Sequence, residues 1–211
     1  MEKIKQNPFV KKVGFNRIVL CCVLLLMYGL FCALTGGSFA GMNRIMSALN
    51  YAYFLGFLSL GVTFVIATGQ IDFSIGPVMF CCALISGYTL TTHGISMPVA
   101  ILISILVGFA FGLFNGYLVA YWSVPSFITS MASMNIAKGL ASVYTKTQSV
   151  SWPQAADPDN GWFRNLVTYN GFPVGLVILL VVAVVCAIIL NKTRIGRYIL
   201  CLGSNKEAVR L

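Results

Sequence analysis

GVTFVIATGQIDFSIG, residues 61–76, is the stretch whose reading decides the fold. It holds Asp72, the only acidic residue between Glu2 and Asp157. No other side chain between Arg44 and Lys138 carries a formal charge. On either side of TGQID the chain is almost entirely apolar. An aspartate at the centre of a bilayer costs about 2.5–3.5 kcal/mol on insertion scales, so an acid in such surroundings is a functional candidate by default. Gly69 and Gly76 bracket it, and glycines are where a helix would break. The stretch therefore predicts two apolar helices joined by a broken-helix segment near residues 69–76.

The bulk composition fixes the class. Hydrophobic residues make up 58% of the chain and charged residues 9%, against about 25% charge in soluble domains. The mean hydropathy is +0.88. This is an integral membrane protein. Spanning backbone must satisfy its own hydrogen bonds, which leaves helices or a closed barrel. The apolar runs are continuous rather than alternating, which selects helices and an all-α polytopic fold. The net charge of +9 is not spread along the chain. Lys3, Lys5, Lys11, Lys12 and Arg17 precede the first apolar run, and Lys192, Arg194, Arg197, Lys206 and Arg210 follow the last. Clusters flanking spans set topology, and no basic-aromatic patch points to nucleic acid. The N-terminus is predicted cytoplasmic and retained, since no small-residue cleavage site clearly follows the first apolar run. The seven cysteines contain no C-x-x-C pair, so neither a disulfide framework nor a metal site is implied.

About six spans are predicted, at residues 18–35, 46–68, 73–91, 97–121, 126–146 and 173–190. The loop at TGQID has no lysine or arginine, which favours a break kept within the protein, where irregular backbone is tolerated. His93 reads as a loop residue at the far end of the third span. In the fourth span Gly108, Gly112 and Gly116 recur on one helix face, a stripe that lets membrane helices approach closely. Asn115 beside it either bonds to a neighbouring helix or lines a polar pathway. Residues 126–146 are polar for a span and contain Lys138, for which Asp72 is one possible partner. Six crossings return the basic C-terminal segment to the side of the N-terminus. Residues 147–172 read as an external loop carrying Trp152 and Trp162, either solvated or in contact with an external partner. Residues 205–211 are predicted to begin a short surface helix capped by Ser204 or Asn205.

No enzyme constellation is present. His93 has no carboxylate or nucleophile partner, and there is no H-E-x-x-H, no G-x-S-x-G and no phosphate-binding P-loop, so any ATP dependence must come from another chain. No catalytic residue, metal site or cofactor is expected.

Three collinear motifs then carry a resemblance, covering about residues 55–211. TGQIDFSIG resembles the T-G-G-I-D-L-S-V-G signature of permease subunits of ATP-binding-cassette importers for monosaccharides, the ribose, xylose and galactose type. FGLFNGYLV with VPSFITSMASMNIAKGLA resembles the next block of that pattern, and TRIGRYILCLGSNKEAVRL resembles its cytoplasmic segment. Gln70 stands where that family has glycine. The resemblance implies one permease domain over residues 1–211, forming a sugar path in the cell membrane, with residues 192–211 as a cytoplasmic coupling segment. It implies cytoplasmic ATP-binding subunits, an external sugar-binding protein and a second permease subunit as partners. Docking on the ATPase would use Gly203, Asn205, Glu207 and Ala208. It also implies a longer chain with further spans, so that the sequence is either a fragment or a truncated subunit.

Sugars need hydroxyl-matching polar groups rather than charge. Gln70, Asp72, Ser74 and Asn115 are the candidates for the translocation pathway. Asp72 either contacts sugar or caps the helix starting near Phe73. The alternatives are a branched-chain amino-acid permease of related architecture, an ATP-independent small-molecule channel, and a non-functional truncated subunit.

Overall fold

The computed structural model describes the backbone of residues 15–169 and 171–204, and the side chains from residue 18 onward. Lys3, Lys5, Lys11, Lys12, Asn205, Glu207 and Ala208 lie outside the described residues, as does the helix expected at 205–211. Among the described residues there are eight α-helices: α1 Phe15–Leu34, α2 Met42–Ala67, α3 Ile75–His93, α4 Met97–Ala120, α5 Ser126–Thr145, α6 Trp162–Asn165, α7 Val174–Lys192 and α8 Arg194–Ser204. Six of them stand at the six expected spans. Four (α2, α3, α4 and α7) are long and apolar enough to cross a membrane; the apolar part of α1, Ile18–Leu34, is shorter, and α5 is long enough but less apolar. The protein is all-α and polytopic.

Contacts divide the chain into two compact units, residues 1–49 and 50–211. In the first, α1 ends in a tight turn and a short 3-10 turn, Ser38–Ala40. Phe39 folds back on Tyr28 and Phe31, with ring centroids 5.7 and 5.5 Å apart.

In the second unit α3 is the central helix, flanked by α4 and α5. Cys81 and Ile85 of α3 pack with Phe111 of α4 and with Ala137 and Ala141 of α5. α2 meets α7 through glycines that make room for large neighbours: Gly56 lies under Leu179, and Gly175 faces the ring of Tyr53.

The polarity of α5 has a structural reason. Its buried residues are Thr129, Ser130, Ser133, Ala137, Ala141 and Thr145, all small and mostly four apart. Its exposed residues include Phe127, Ile128, Met131, Ile136, Leu140 and Val143. Small side chains let the backbones of α3 and α5 approach, as membrane helix pairs do. Three of its four buried hydroxyls are satisfied locally: Thr145 Oγ1 donates to Ala141 O at 2.9 Å, Ser130 Oγ to Phe127 O at 3.1 Å and Thr129 Oγ1 to Pro125 O at 3.3 Å. Apolar groups outward and small polar groups inward is the arrangement a lipid solvent selects. Lys138 is exposed on α5 and does not join Asp72.

One expectation is corrected here. The expected surface helix beginning after Ser204 is preceded by a helix that already contains Ser204. α8 starts at Arg194 because Thr193, in an extended conformation, ends α7 and caps α8: its Oγ1 accepts the Gly196 N–H at 3.1 Å. That bond satisfies one of the free donors at a helix start. Ser204 therefore cannot be an N-cap. Its hydroxyl bonds back to Leu200 O at 3.2 Å.

Ala137 is fully buried against α3, whereas Val143 is 79% exposed. Ala137→Leu overpacks the α3–α5 contact and lowers stability by about 1–3 kcal/mol. Val143→Leu leaves it unchanged. Thermal unfolding in detergent checks this, and equal melting of the two variants refutes the packing assignment.

Candidate functional site at the helix break

The run GVTFVIATGQIDFSIG folds as the end of α2, seven irregular residues from Thr68 to Ser74, and the start of α3. Gly69 supplies the reversal, with φ of +75°, a left-handed conformation that side-chain-bearing residues rarely adopt. The Gly69 N–H reaches Ile66 O at 2.9 Å and the Gln70 N–H reaches Val65 O at 3.3 Å, which closes the end of α2. The Ile71 N–H donates to Ser126 Oγ at the start of α5, at 3.3 Å. Gly76 does not break a helix. It is the second residue of α3, whose first bond runs from Val78 N–H to Ser74 O at 2.8 Å. The irregular segment is over before it is reached.

The position of the break follows from helix length. α3 has 19 residues, about 28 Å at 1.5 Å per residue, close to the full hydrocarbon thickness. Asp72 thus stands at one end of a full-length helix. The α4–α5 connection, residues 121–125, and α8 lie at that same end.

Asp72 neither caps the first turn of α3 in the expected way nor stands free. Its Oδ1 accepts the Ser74 N–H at 2.7 Å and the Ser74 hydroxyl at 2.6 Å. Ser74 occupies the N-cap position, so the carboxylate fixes the residue before the helix rather than the first helical N–H groups. Ser74 Oγ in turn accepts an N–H from Asn115 Nδ2 of α4 at 3.1 Å. Asn115 Oδ1 accepts the Ser133 hydroxyl of α5. The result is a directed chain of donors, Ser133 to Asn115 to Ser74 to Asp72, ending on the carboxylate and tying α3, α4 and α5 together. Ser74 is 2% exposed and Ser133 is fully buried. In such surroundings each link polarises the next, and leaving a member unpaired is costly.

Beside this chain lies a cleft of about 570 Å³, within the range of small-molecule sites. Gln70, Asp72 and Asn115 line it, together with Thr68, Ser126 and Ser130. Of the four sequence-predicted pathway residues the structure brings three to this wall. Ser74 sits behind it, buried and engaged on both sides. The Gln70 amide and Asp72 Oδ2 have no hydrogen-bond partner among the described residues. Ser126 and Ser130 are two hydroxyls among the many of a segment that is polar for a span, so the sequence does not single them out; the position of Ser126 directly after Pro125 is the one available signal. The glycine stripe of α4 is split. A Cβ at Gly108 would lie 3.5 Å from Cys82 Sγ of α3, while Gly112 and Gly116 face open space and widen the cleft.

Ile199 and Leu202 of α8 supply part of the apolar wall. Gly203, the one described residue of the expected coupling set, presses on the break: a Cβ there would collide with Ala67 O and come within 3.3 Å of Gly69 N. Only glycine lets α8 lie this close.

Apolar helices thus surround a largely apolar cleft with one polar wall at the helix break. The comparisons specify the class. The chain belongs to the family described as branched-chain amino acid transport system / permease component, whose model matches residues 44–211. It is 29% identical over 99% of its length to the fructose import permease protein FruF of Bifidobacterium longum, covering 61% of that protein. It is 32% identical over 77% of its length to the galactofuranose transporter permease protein YtfT of Escherichia coli, covering 46%. It is 30% identical over 82% to the ribose import permease protein RbsC of Haemophilus influenzae, covering 53%. The chain thus spans about half to three-fifths of the length of these relatives. No solved structure matches it.

Asp72→Ala leaves the Ser74 hydroxyl and N–H without an acceptor and lowers stability by about 1–3 kcal/mol. Asp72→Asn retains an acceptor and loses less than half of that. Melting of the two purified variants in detergent checks the point; an Asn variant as unstable as the Ala variant refutes it.

Proposed function

We propose that this chain is part of the membrane-spanning subunit of a binding-protein-dependent, ATP-driven monosaccharide importer, and that the cleft at the break is part of the sugar's path. The observation that carries the reading is the cleft's chemistry. Its polar wall consists of amides and hydroxyls, with Asp72 as the one charged residue among those lining it. A neutral, hydroxyl-rich ligand is matched by such groups, which reject analogues unable to pair with them. The names of the fructose, galactofuranose and ribose relatives support the same substrate class.

In this reading Gln70, Asp72 and Asn115 meet the sugar, while Ser74 holds Asp72 and Asn115 in place. Residues 192–211, including Gly203, Asn205, Glu207 and Ala208, dock on a cytoplasmic ATP-binding subunit. An external sugar-binding protein delivers substrate, a second permease subunit completes the pathway, and the N-terminus is cytoplasmic. ATP binding on the partner biases inward- and outward-facing states. A branched-chain amino acid is the competing substrate, as the family's description suggests. It presents both an ammonium and a carboxylate. Among the described residues the cleft offers no cation for the latter, and Lys138 is exposed elsewhere on α5.

Uptake of labelled fructose, ribose, xylose and galactose, in cells with and without the gene, tests the function. Loss of uptake of at least one sugar in the deleted strain is expected. Loss of leucine uptake instead, or no change across the panel, refutes it. In the same assay Gln70→Ala lowers sugar uptake at least several-fold. Glu207→Lys weakens co-purification of the ATP-binding subunit.

A further inference from the structure

A second cavity, of about 510 Å³, opens at the other end of the second unit. It lies between Asn50 and Tyr53 of α2, the Trp152–Pro153 stretch of the loop after α5, and Phe163, Arg164 and Thr168 in and after α6. Asn50 and Ala67 are 17 residues apart on one helix, so this cavity stands about 25 Å along α2 from the break. It is distinct from the cleft that contains Asp72.

Three features distinguish it from a packing gap. The first is an orphan. Asn50 Oδ1 is buried and has no hydrogen-bond partner among the described residues. Native structures rarely leave such an atom unpaired, because it forfeits about 1–3 kcal/mol. A carbonyl oxygen at a cavity wall is matched by an O–H or N–H donor.

The second is a rigid aromatic wall. Trp152 and Phe163 stack with centroids 5.8 Å apart and planes 25° from parallel. Trp152, in the loop after α5, is half-buried and set over Gly87 of α3, where a Cβ would come within 2.9 Å of its Nε1. Together with Phe163 it packs on the small core of Leu90, Met97 and Ala100. The loop is therefore anchored to the bundle.

The third is a set of placed donors. Arg164 Nε donates to Pro153 O at 2.8 Å, which ties α6 to the loop and fixes the guanidinium at the cavity wall. The remaining guanidinium N–H groups have no partner among the described side-chain bonds. Thr168 also lines the cavity and its hydroxyl is uncommitted among the described residues.

A buried acceptor, uncommitted donors and a flat apolar wall suit a ligand with many hydroxyls and an apolar ring face. We infer that this cavity is a second monosaccharide site, an outer one, in which Asn50 and Thr168 meet sugar hydroxyls and Trp152 carries the ring. The inference rests on the sugar-importer reading and extends it: substrate is held at the end of the bundle opposite the break before it reaches the cleft. No acidic residue lines the cavity among the described residues to hold an ammonium group, so sugar rather than amino acid is the class.

The test uses the full-length gene product in lipid nanodiscs and the tryptophan fluorescence change on titration with D-fructose, D-ribose, D-xylose and L-leucine. At least one sugar gives a saturable change. Trp152→Phe abolishes that change, and Asn50→Leu and Thr168→Val each weaken it about 10-fold. The melting temperatures of the two weakened variants stay at or above that of the wild type, which a merely structural role would not predict. An Asn50→Leu protein that binds as tightly as wild type overturns the site. A response to leucine alone overturns the ligand class. Sugar uptake in cells without any Trp152 response overturns the outer site while leaving the importer reading intact. Absence of both removes the two together.

Discussion

The second unit depends on one carboxylate and the hydrogen bonds that end on it. Asp72 has no cation beside it among the described residues. It is held by Ser74, which is held by Asn115, which is held by Ser133. Each group is small or neutral and each donates in the same direction, so the negative charge is dispersed over three helices. A salt bridge at this place would draw two charges out of water and need excellent geometry to offset the loss. A chain of hydroxyl and amide donors avoids the second charge. It also keeps Oδ2 and the Gln70 amide uncommitted at the cleft wall.

Two kinds of small residue make that arrangement possible. Serine, threonine and alanine on the buried face of α5 bring its backbone close to α3, which places Ser133 within reach of Asn115. Glycines 112 and 116 of α4 do the reverse, facing open space and leaving room beside Asn115. One stripe closes a helix contact and the other opens a cleft, although in sequence both are periodic runs of small residues. The difference lies in what faces them.

The cleft is bounded by α8 as well as by the spans. Gly203 lies against the backbone of Ala67 and Gly69, while Ile199 and Leu202 form part of the cleft wall. A displacement of α8 therefore changes the volume beside Asp72 directly, without a separate relay. That continuity gives a docking partner on this segment a short mechanical route to the substrate path in the importer reading. The same bundle carries a cavity at its opposite end, about 25 Å away along α2, so both ends of one helix border space lined by polar side chains.

Composition and hydropathy determined that this is a helical membrane protein. They also located its six main helices to within a few residues, because a bilayer demands long apolar runs with internally satisfied backbone. Asp72 was visible for the same reason: in an uncharged stretch of some ninety residues a single acid stands out. The fate of Ser74 was not legible. Whether a serine lines a cleft or lies behind it depends on what packs on it, and Asn115 and Ser133 are 41 and 59 residues away in sequence. The start of α8 was locally encoded in Thr193, but the basic residues around it read as a topology signal and masked the cap. Trp152 read as a loop residue because its neighbours are polar. Only the fold brought Gly87, Phe163 and Asn50 to it. Local sequence thus decided which segments are helical. Which of their polar groups are used up holding the helices together, and which stay available at a cavity wall, was decided by tertiary packing, because hydrogen-bond satisfaction depends on neighbours distant in the chain.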